Sequence, residues 1–389
     1  MTTEAGTHHR RAGIRDFDFA KSPFVVIWET TRACDLACKH CRAEAVAFRR
    51  PDELSTDEAK EMLRKVREFG QVVFVLSGGD CLKRPDVFEL IEYGFSLGLR
   101  MAATPATTPL ATPEAIARFK SAGISRIAVS LDGSTPAIHD AFRRVDGSFD
   151  QGMRILAECR RLGVSTQVNT VIARHNVDDF DNLAALMARL GIVFWEVFFL
   201  VPTGRAKPGD VASAEEYERV FEKMYALSKH ASFDVKATAA PQYSRVILQH
   251  QVAERRSGDR AEAPDTLTGG VMFSLSDGIG RARNVNDGDG FMFISHIGEI
   301  MPSGFLPLVA GNVRTDDLVT VYRDAPVFRS LRDRTQLKGK CGMCEFVNVC
   351  GGSRARAYAM TGDIHAAEPF CSYIPPRYAK ALAANEAPA

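Results

Sequence analysis

No uninterrupted apolar stretch in these 389 residues reaches the roughly 20 that a membrane-spanning helix needs. The longest, Ile192 to Val201, carries Glu196 and reads as a buried strand. No apolar run follows the basic start at His8, His9, Arg10 and Arg11, where GIRDFDF stands instead, so a secretory leader is not expected. A dominant charge is missing too. Lysine and arginine number 49 against 48 aspartates and glutamates, for a net charge of +1, which gives no electrostatic ground for a polyanionic partner such as DNA. These absences point to a cytoplasmic protein with no membrane and no nucleic-acid partner. The length prior suggests two or three units, and 46% apolar with 25% charged residues is ordinary for a globular chain with a large core.

What the chain does have is cysteine in two groups. Three of the nine crowd into residues 34–41 and four into 341–371, with Cys81 and Cys159 alone between. An odd number placed so unevenly favours metal over disulfide bonding in a reducing compartment.

From residue 24 to about 202, strand-like apolar runs alternate with helical patterns. FVVIWET, VVFVLSGG, RMAATPA, RIAVSLDG, STQVNTVIA and IVFWEVFFLVP are six strand candidates, with helices between them that mostly end at glycine. Parallel strands need crossovers, so the alternation implies a parallel sheet under helices, either doubly wound or an incomplete barrel. In both, ligands gather in the loops where strands end. Residues 213–255 read as helical around a VKATAAP connection. Residues 256–289 read as a mobile excursion, and FMFISHIGEIMP as a hairpin turning at His296–Gly298. The alanine-rich 380–389 reads as a fraying tail.

CDLACKHC places Cys34, Cys38 and Cys41 in the loop after the first predicted strand. A cubane cluster takes four thiolates, so three would leave one iron open to a small molecule, as an open position marks a catalytic metal. Spacing alone also admits zinc, with His40 or a distant cysteine as fourth ligand. In its context, after the first strand of a six-unit α/β array, this spacing resembles the radical S-adenosylmethionine (SAM) superfamily. The resemblance implies a partial (β/α)6 barrel whose open iron chelates SAM. Reductive cleavage then gives a 5′-deoxyadenosyl radical that abstracts hydrogen from substrate, with a reducing protein such as flavodoxin or ferredoxin supplying the electron. His40 is expected to pack beside the cluster.

Ser77, Gly78, Gly79 and Asp80 resemble the family's GGEP-type motif, where backbone acceptors and Asp80 would orient the SAM ammonium. Cys81 replaces the usual proline, as a thiol near the radical or a small buried residue; Cys159 reads as core. Ser130 in SLDG resembles a SAM-contacting segment, and Arg143 matches the arginine that pairs with the SAM carboxylate. Thr104 and Thr107 match the place where relatives often carry TNG as a SAM contact, though TPAT stands here, and Asn169 and the Leu200–Arg205 turn are expected to help form the ribose and adenine pocket.

Cys341, Cys344, Cys350 and Cys371 could bind zinc or an iron–sulfur cluster on spacing alone. Beside such a core they resemble the SPASM or twitch extension, which implies one auxiliary cluster with four thiolates; Ser303 and Ser353 stand near where fuller members carry further cysteines. CGGSRARAYAMTGD with PSGFLPLVAGN resembles the enzymes of alternative heme and heme d1 synthesis, which act on tetrapyrrole side chains. Arg354 and Arg356 would then either face substrate carboxylates or support the fold. Other readings are a ribosomal peptide maturase, radical modification or sulfur insertion on a small metabolite, or a zinc-binding module. The expected organisation is a flexible 1–21, a core at 22–230, connecting helices and excursion at 231–289, a SPASM/twitch-like domain at 290–376 and a tail at 377–389.

Overall fold

A computed structural model of the chain describes residues 11–14, 17–257, 271–274, 281–282 and 285–384. Seven parallel strands lie side by side in chain order. They are β1 (Val25–Glu29), β2 (Val73–Ser77), β3 (Arg100–Ala103), β4 (Arg126–Ser130), β5 (Thr166–Ile172), β6 (Phe194–Phe199) and β7 (Asp234–Thr238). Crossover helices cover the outer face: α1 (Thr56–Arg67), α2 (Val87–Ser96), α3 (Pro113–Ser121), α4 (Pro136–Arg143), α5 (Ser148–Leu162), α6 (Phe180–Leu190) and α7 (Ala214–Ser228). On the other side of β1 lies a further parallel strand, β8 (Phe291–Ile294), which continues antiparallel into β9 (Glu299–Met301) and β10 (Gly311–Asn312). The sheet curls without closing, since β7 and β10 remain its two edges. This is the expected partial barrel.

Local chemistry accounts for the helices. Ser55 and Glu58 form a capping box ahead of α1, and Ser213 and Glu216 do so ahead of α7, each satisfying two orphan backbone donors. Gly163 and Gly191 end α5 and α6 in the left-handed region that glycine favours. Ala59, Met62, Leu63 and Val66 fall on one face of α1 at helical spacing and are buried. Truncating Leu63 to alanine would cost about 2–5 kcal/mol by leaving a cavity.

The strands carry two different faces. Val26, Trp28, Phe74 and Leu76 point outward under the helices and are fully buried. Their neighbours Val25, Ile27, Val73 and Val75 point inward and line a central cavity. Period-two alternation thus makes both the core and the chamber.

Three expectations need correction. The stretch 231–289 does not begin with connecting helices: β7 is a seventh barrel strand, followed by α8 (Gln242–Ser257). Its sequence DVKAT hides this because its inward side chains line a chamber rather than a dry core. In the flexible 1–21 and the excursion 256–289, Arg11–Ile14, Val271–Ser274 and Arg281–Ala282 form a small antiparallel sheet. Residues 258–270, 275–280 and 283–284 of the excursion, with residues 1–10 and 15–16, lie outside the described residues. The tail begins as a helix, Pro376–Ala383, while 385–389 lie outside them. The hairpin stands as read, with Gly298 N–H donating to Ser295 O at 3.0 Å.

Candidate active site

The loop after β1 crosses the C-terminal end of the barrel and carries Cys34, Cys38 and Cys41. Its path is set by the neighbouring strand end. Gly79 N–H donates to Thr31 O and Asp80 N–H to Ala33 O, both at 2.7 Å, extending the sheet pairing into the cysteine loop. Only glycine fits so close. A Cβ on Gly78 would stand 2.5 Å from Thr31 O, and one on Gly79 2.3 Å from Ala33 O. The paired glycines therefore admit the cysteine loop itself. Asp80 is buried, and its carboxylate accepts from Leu82 N–H (3.1 Å), Ala106 N–H (3.3 Å) and Thr108 Oγ1 (2.6 Å). These three bonds anchor the next loop to the strand end.

The turn after β6 closes on the loop from the other side. Gly204 lies against the backbone of Cys41 and Arg42, where a Cβ would be 2.5 Å from either carbonyl oxygen, and Arg205 N–H donates to Cys41 O at 3.0 Å. Leu200, at the start of the turn, is buried in the core.

The three thiols share a charged setting. Burial pushes Cys34 up to about 12 and raises Cys38. Burial also acts upward on Cys41, but the Ala45 N–H and the Arg205 guanidinium outweigh it and hold that thiol below its ordinary value. Backbone N–H groups reach two of the sulfurs, Leu36 to Cys34 Sγ at 3.4 Å and Ala45 to Cys41 Sγ at 3.5 Å. Cationic iron would let such thiols ionise, since metal ligation and deprotonation are linked. Arg205 Nε and Nη2 are buried beside Cys41 with no partner among the described residues. This donor set fits an iron–sulfur cluster and an anionic ligand beside it.

Arg143 reaches the same place. Its Nη1 lies 3.7 Å from Cys38 Sγ, while its Nε and Nη2 hold Asp132 Oδ2 at 2.7 and 2.6 Å. Asp132 is wholly buried. Burial works against its charge, but the Arg143 guanidinium keeps its carboxyl below the usual range. Within SLDG the place of Asp132 just past a strand end is its one signal in the sequence; its pairing with Arg143 emerges only in the fold. His40 stacks on Phe142 with centroids 4.2 Å apart, and burial drives its imidazole down to about 3. It packs beside the loop, neutral.

Ser77 and Thr104, at strand C-terminal ends, and Asn169, midway along β5, line the barrel cavity, and Ser130 pairs with Asn169 in register. The cavity measures about 340 Å³. Phe24, Phe194, Phe198, Phe291, Phe293 and Phe305 give it aromatic walls, and Arg42, Arg126, Glu196 and Lys236 add charge. Arg42 lies over Phe293 and meets Glu29 at 2.7 Å, and Glu29 in turn meets His296 Nδ1 at 2.8 Å. Cys81 does not reach this chamber. It is fully buried in the hydrophobic core, so its candidacy as a reactive thiol gives way to packing.

The other cysteines, Cys341, Cys344, Cys350 and Cys371, line one small cavity of about 20 Å³ with Gln242, Arg245 and Lys340. Burial raises Cys350 and Cys344, and lifts Cys371 to about 11. Arg356 is buried against Glu368 at 2.9 Å, and Arg354 donates to Ile364 O and Ala366 O at 2.9 and 2.8 Å. Both arginines hold the C-terminal fold; neither lines the barrel cavity. Ser303 does line it, and Ser353 caps the helix Arg354–Thr361. No three His, Cys, Asp or Glu side chains among the described residues gather as a single metal ion requires, with Zn–S bonds of about 2.3 Å for zinc.

A parallel partial barrel with three cysteines in the loop after its first strand is the architecture of a radical SAM enzyme. Residues 28–187 match the sequence model of the Radical SAM superfamily. The chain is 42% identical over 375 residues to the AdoMet-dependent heme synthase of Nitratidesulfovibrio vulgaris, covering 96% of this chain and 98% of that protein. It is 38% identical to the protein of that name from Methanosarcina barkeri, covering 91% and 97%. The mycofactocin maturase MftC of Mycobacterium ulcerans is 29% identical, covering 90% and 88%. Among solved structures, Streptococcus suis SuiB bound to S-adenosylmethionine superposes with a TM-score of 0.68 at 15% identity, covering 91% of this chain and 78% of that one. The chain belongs to the radical SAM superfamily. It is an enzyme that uses SAM and a catalytic [4Fe–4S] cluster, and no helix among the described residues is long and apolar enough to cross a membrane.

Proposed function

We propose that this enzyme modifies a tetrapyrrole, converting propionate side chains to vinyl groups by oxidative decarboxylation. The barrel cavity carries the reading. Its aromatic walls suit the faces of a macrocycle, and Arg42, Arg126 and Lys236 suit peripheral carboxylates. Full-length similarity to two proteins named heme synthases supports it.

Cys34, Cys38 and Cys41 would hold the catalytic cluster, which with bound SAM supplies the deoxyadenosyl radical. Arg143 and Arg205 flank that position and would receive the SAM carboxylate or brace the thiolates; Ser77, Thr104 and Asn169 would meet the nucleoside. Arg42, next to Cys41 in the chain, lines the cavity and would hold one peripheral carboxylate. Its Nη2 donates to Glu29 Oε2 at 2.7 Å. The reaction balances when the side chain gives one hydrogen atom to the radical, releases carbon dioxide and surrenders one electron. Cys341, Cys344, Cys350 and Cys371, in a SPASM/twitch-like region, would hold an auxiliary cluster suited to accept that electron. A flavodoxin or ferredoxin in the cytoplasm would reduce the catalytic cluster.

The test is anaerobic incubation of reconstituted enzyme with SAM, a reductant and iron porphyrins bearing propionates. Deoxyadenosine should rise with substrate, and the porphyrin should lose carbon dioxide plus two hydrogens per side chain. Deoxyadenosine formation indifferent to every porphyrin, with no mass change, overturns the proposal. Similarity to the maturase MftC makes peptide modification the second reading, and it gains if a peptide alone stimulates SAM cleavage.

A further inference from the structure

The first turn of α8 has two faces that open on two different places. Pro241, Tyr243, Ser244 and Ile247 line the barrel cavity. Gln242 and Arg245, three residues apart and so on one side of the helix, line the small cavity shared by the four C-terminal cysteines. One turn of helix therefore separates the chamber from the second cysteine site.

Gln242 is 1% exposed, and neither its Nε2 nor its Oε1 has a hydrogen-bond partner among the described residues. Buried amides are nearly always paired, because an unmet donor forfeits the hydration it had in the unfolded chain. Arg245 repeats the pattern: Glu218 holds its Nη2 at 2.6 and 2.8 Å, while its buried Nε has no partner among the described residues. Both orphaned donors belong to residues that line the cavity shared by the four thiols. They are the donors a sulfur-rich anionic group would accept.

We infer that Gln242 is a positioning residue that donates a hydrogen bond to a sulfur of the C-terminal cluster and raises its reduction potential, within a helical turn shared with the substrate cavity. The inference rests on the reading that those cysteines hold a cluster. A donor to cluster sulfur stabilises the reduced form more than the oxidised one, because the reduced form carries more negative charge. A cluster so poised accepts electrons rather than giving them, and the shared wall keeps it beside the substrate.

The experiment uses the full chain, reconstituted anaerobically, with iron and zinc analysis followed by potentiometric titration read by electron paramagnetic resonance. Wild type should hold two clusters with separate potentials; one cluster only, or zinc at the C-terminal cysteines, sinks the underlying reading. With both clusters present, Gln242→Leu should shift the C-terminal cluster to lower potential and leave the N-terminal one in place. Gln242→Met, of similar length with no hydrogen to donate, should do the same, and it decides the question if the leucine variant loads poorly. Two loaded clusters with unchanged potentials in both variants overturn the inference.

Discussion

The two cysteine sites differ in how the fold encloses them. The N-terminal set is compressed into one loop, held between the Gly78–Gly79 backbone and the Gly204–Arg205 turn at the mouth of the barrel. The C-terminal set draws on cysteines from 341 to 371 and closes a small cavity behind α8. Three thiolates leave an iron open for a cofactor, whereas four leave none. The first arrangement suits chemistry at the open corner, and the second suits electron storage or support.

The largest effect that would sharpen this contrast comes from Cys38→Ala. It should abolish deoxyadenosine formation and remove roughly four of eight irons, a full cubane. Substantial SAM cleavage in that variant would break the assignment of the open cluster. Cys350→Ala should also lose about half the iron, yet keep substrate-independent SAM cleavage while the modified product disappears. If both variants lose all iron, the two sites are not independent.

A smaller effect belongs to the catalytic side and concerns protons. His139 is buried and accepts from Asp132 N–H through Nδ1 at 2.9 Å, which requires a neutral ring. Burial, then the nearby Arg143, hold its imidazole down to about 4. The unfolded chain takes up that proton near pH 6.5, so the folded state's advantage is whole above that value and drains as pH falls toward 4. Apoprotein melting should therefore fall between pH 7 and 5, and His139→Gln should flatten that slope by about 1–3 °C. An unchanged slope would remove His139 from the account. The smallest effect is Cys81→Ala: a loss of about 1 kcal/mol from a core position, with SAM cleavage per folded molecule unchanged. A large loss of turnover at full folding would return Cys81 to the site.

Much of this architecture can be read without coordinates because it is local. Strand and helix alternation follows from side-chain period, and Ser55 with Glu58, or Gly163, announce where helices begin and end. β7 escaped because its inward residues, Lys236 and Thr238 among them, meet Glu196 across the chamber wall, which removes the apolar run that marks a strand. Arg356 read equally as substrate ligand or support, since only its burial against Glu368 separates the two.

What the sequence by itself determined is the class of fold and the two groups of thiols, because periodicity and short spacings act between near neighbours in the chain. Only the tertiary structure decided that Asp80 anchors a loop, that Asp132 braces Arg143 beside Cys38, and that Gln242 faces the second cysteine site. Those roles depend on burial and on partners distant along the chain. A side chain's chemistry there follows from what surrounds it, and that is known only once the chain has folded.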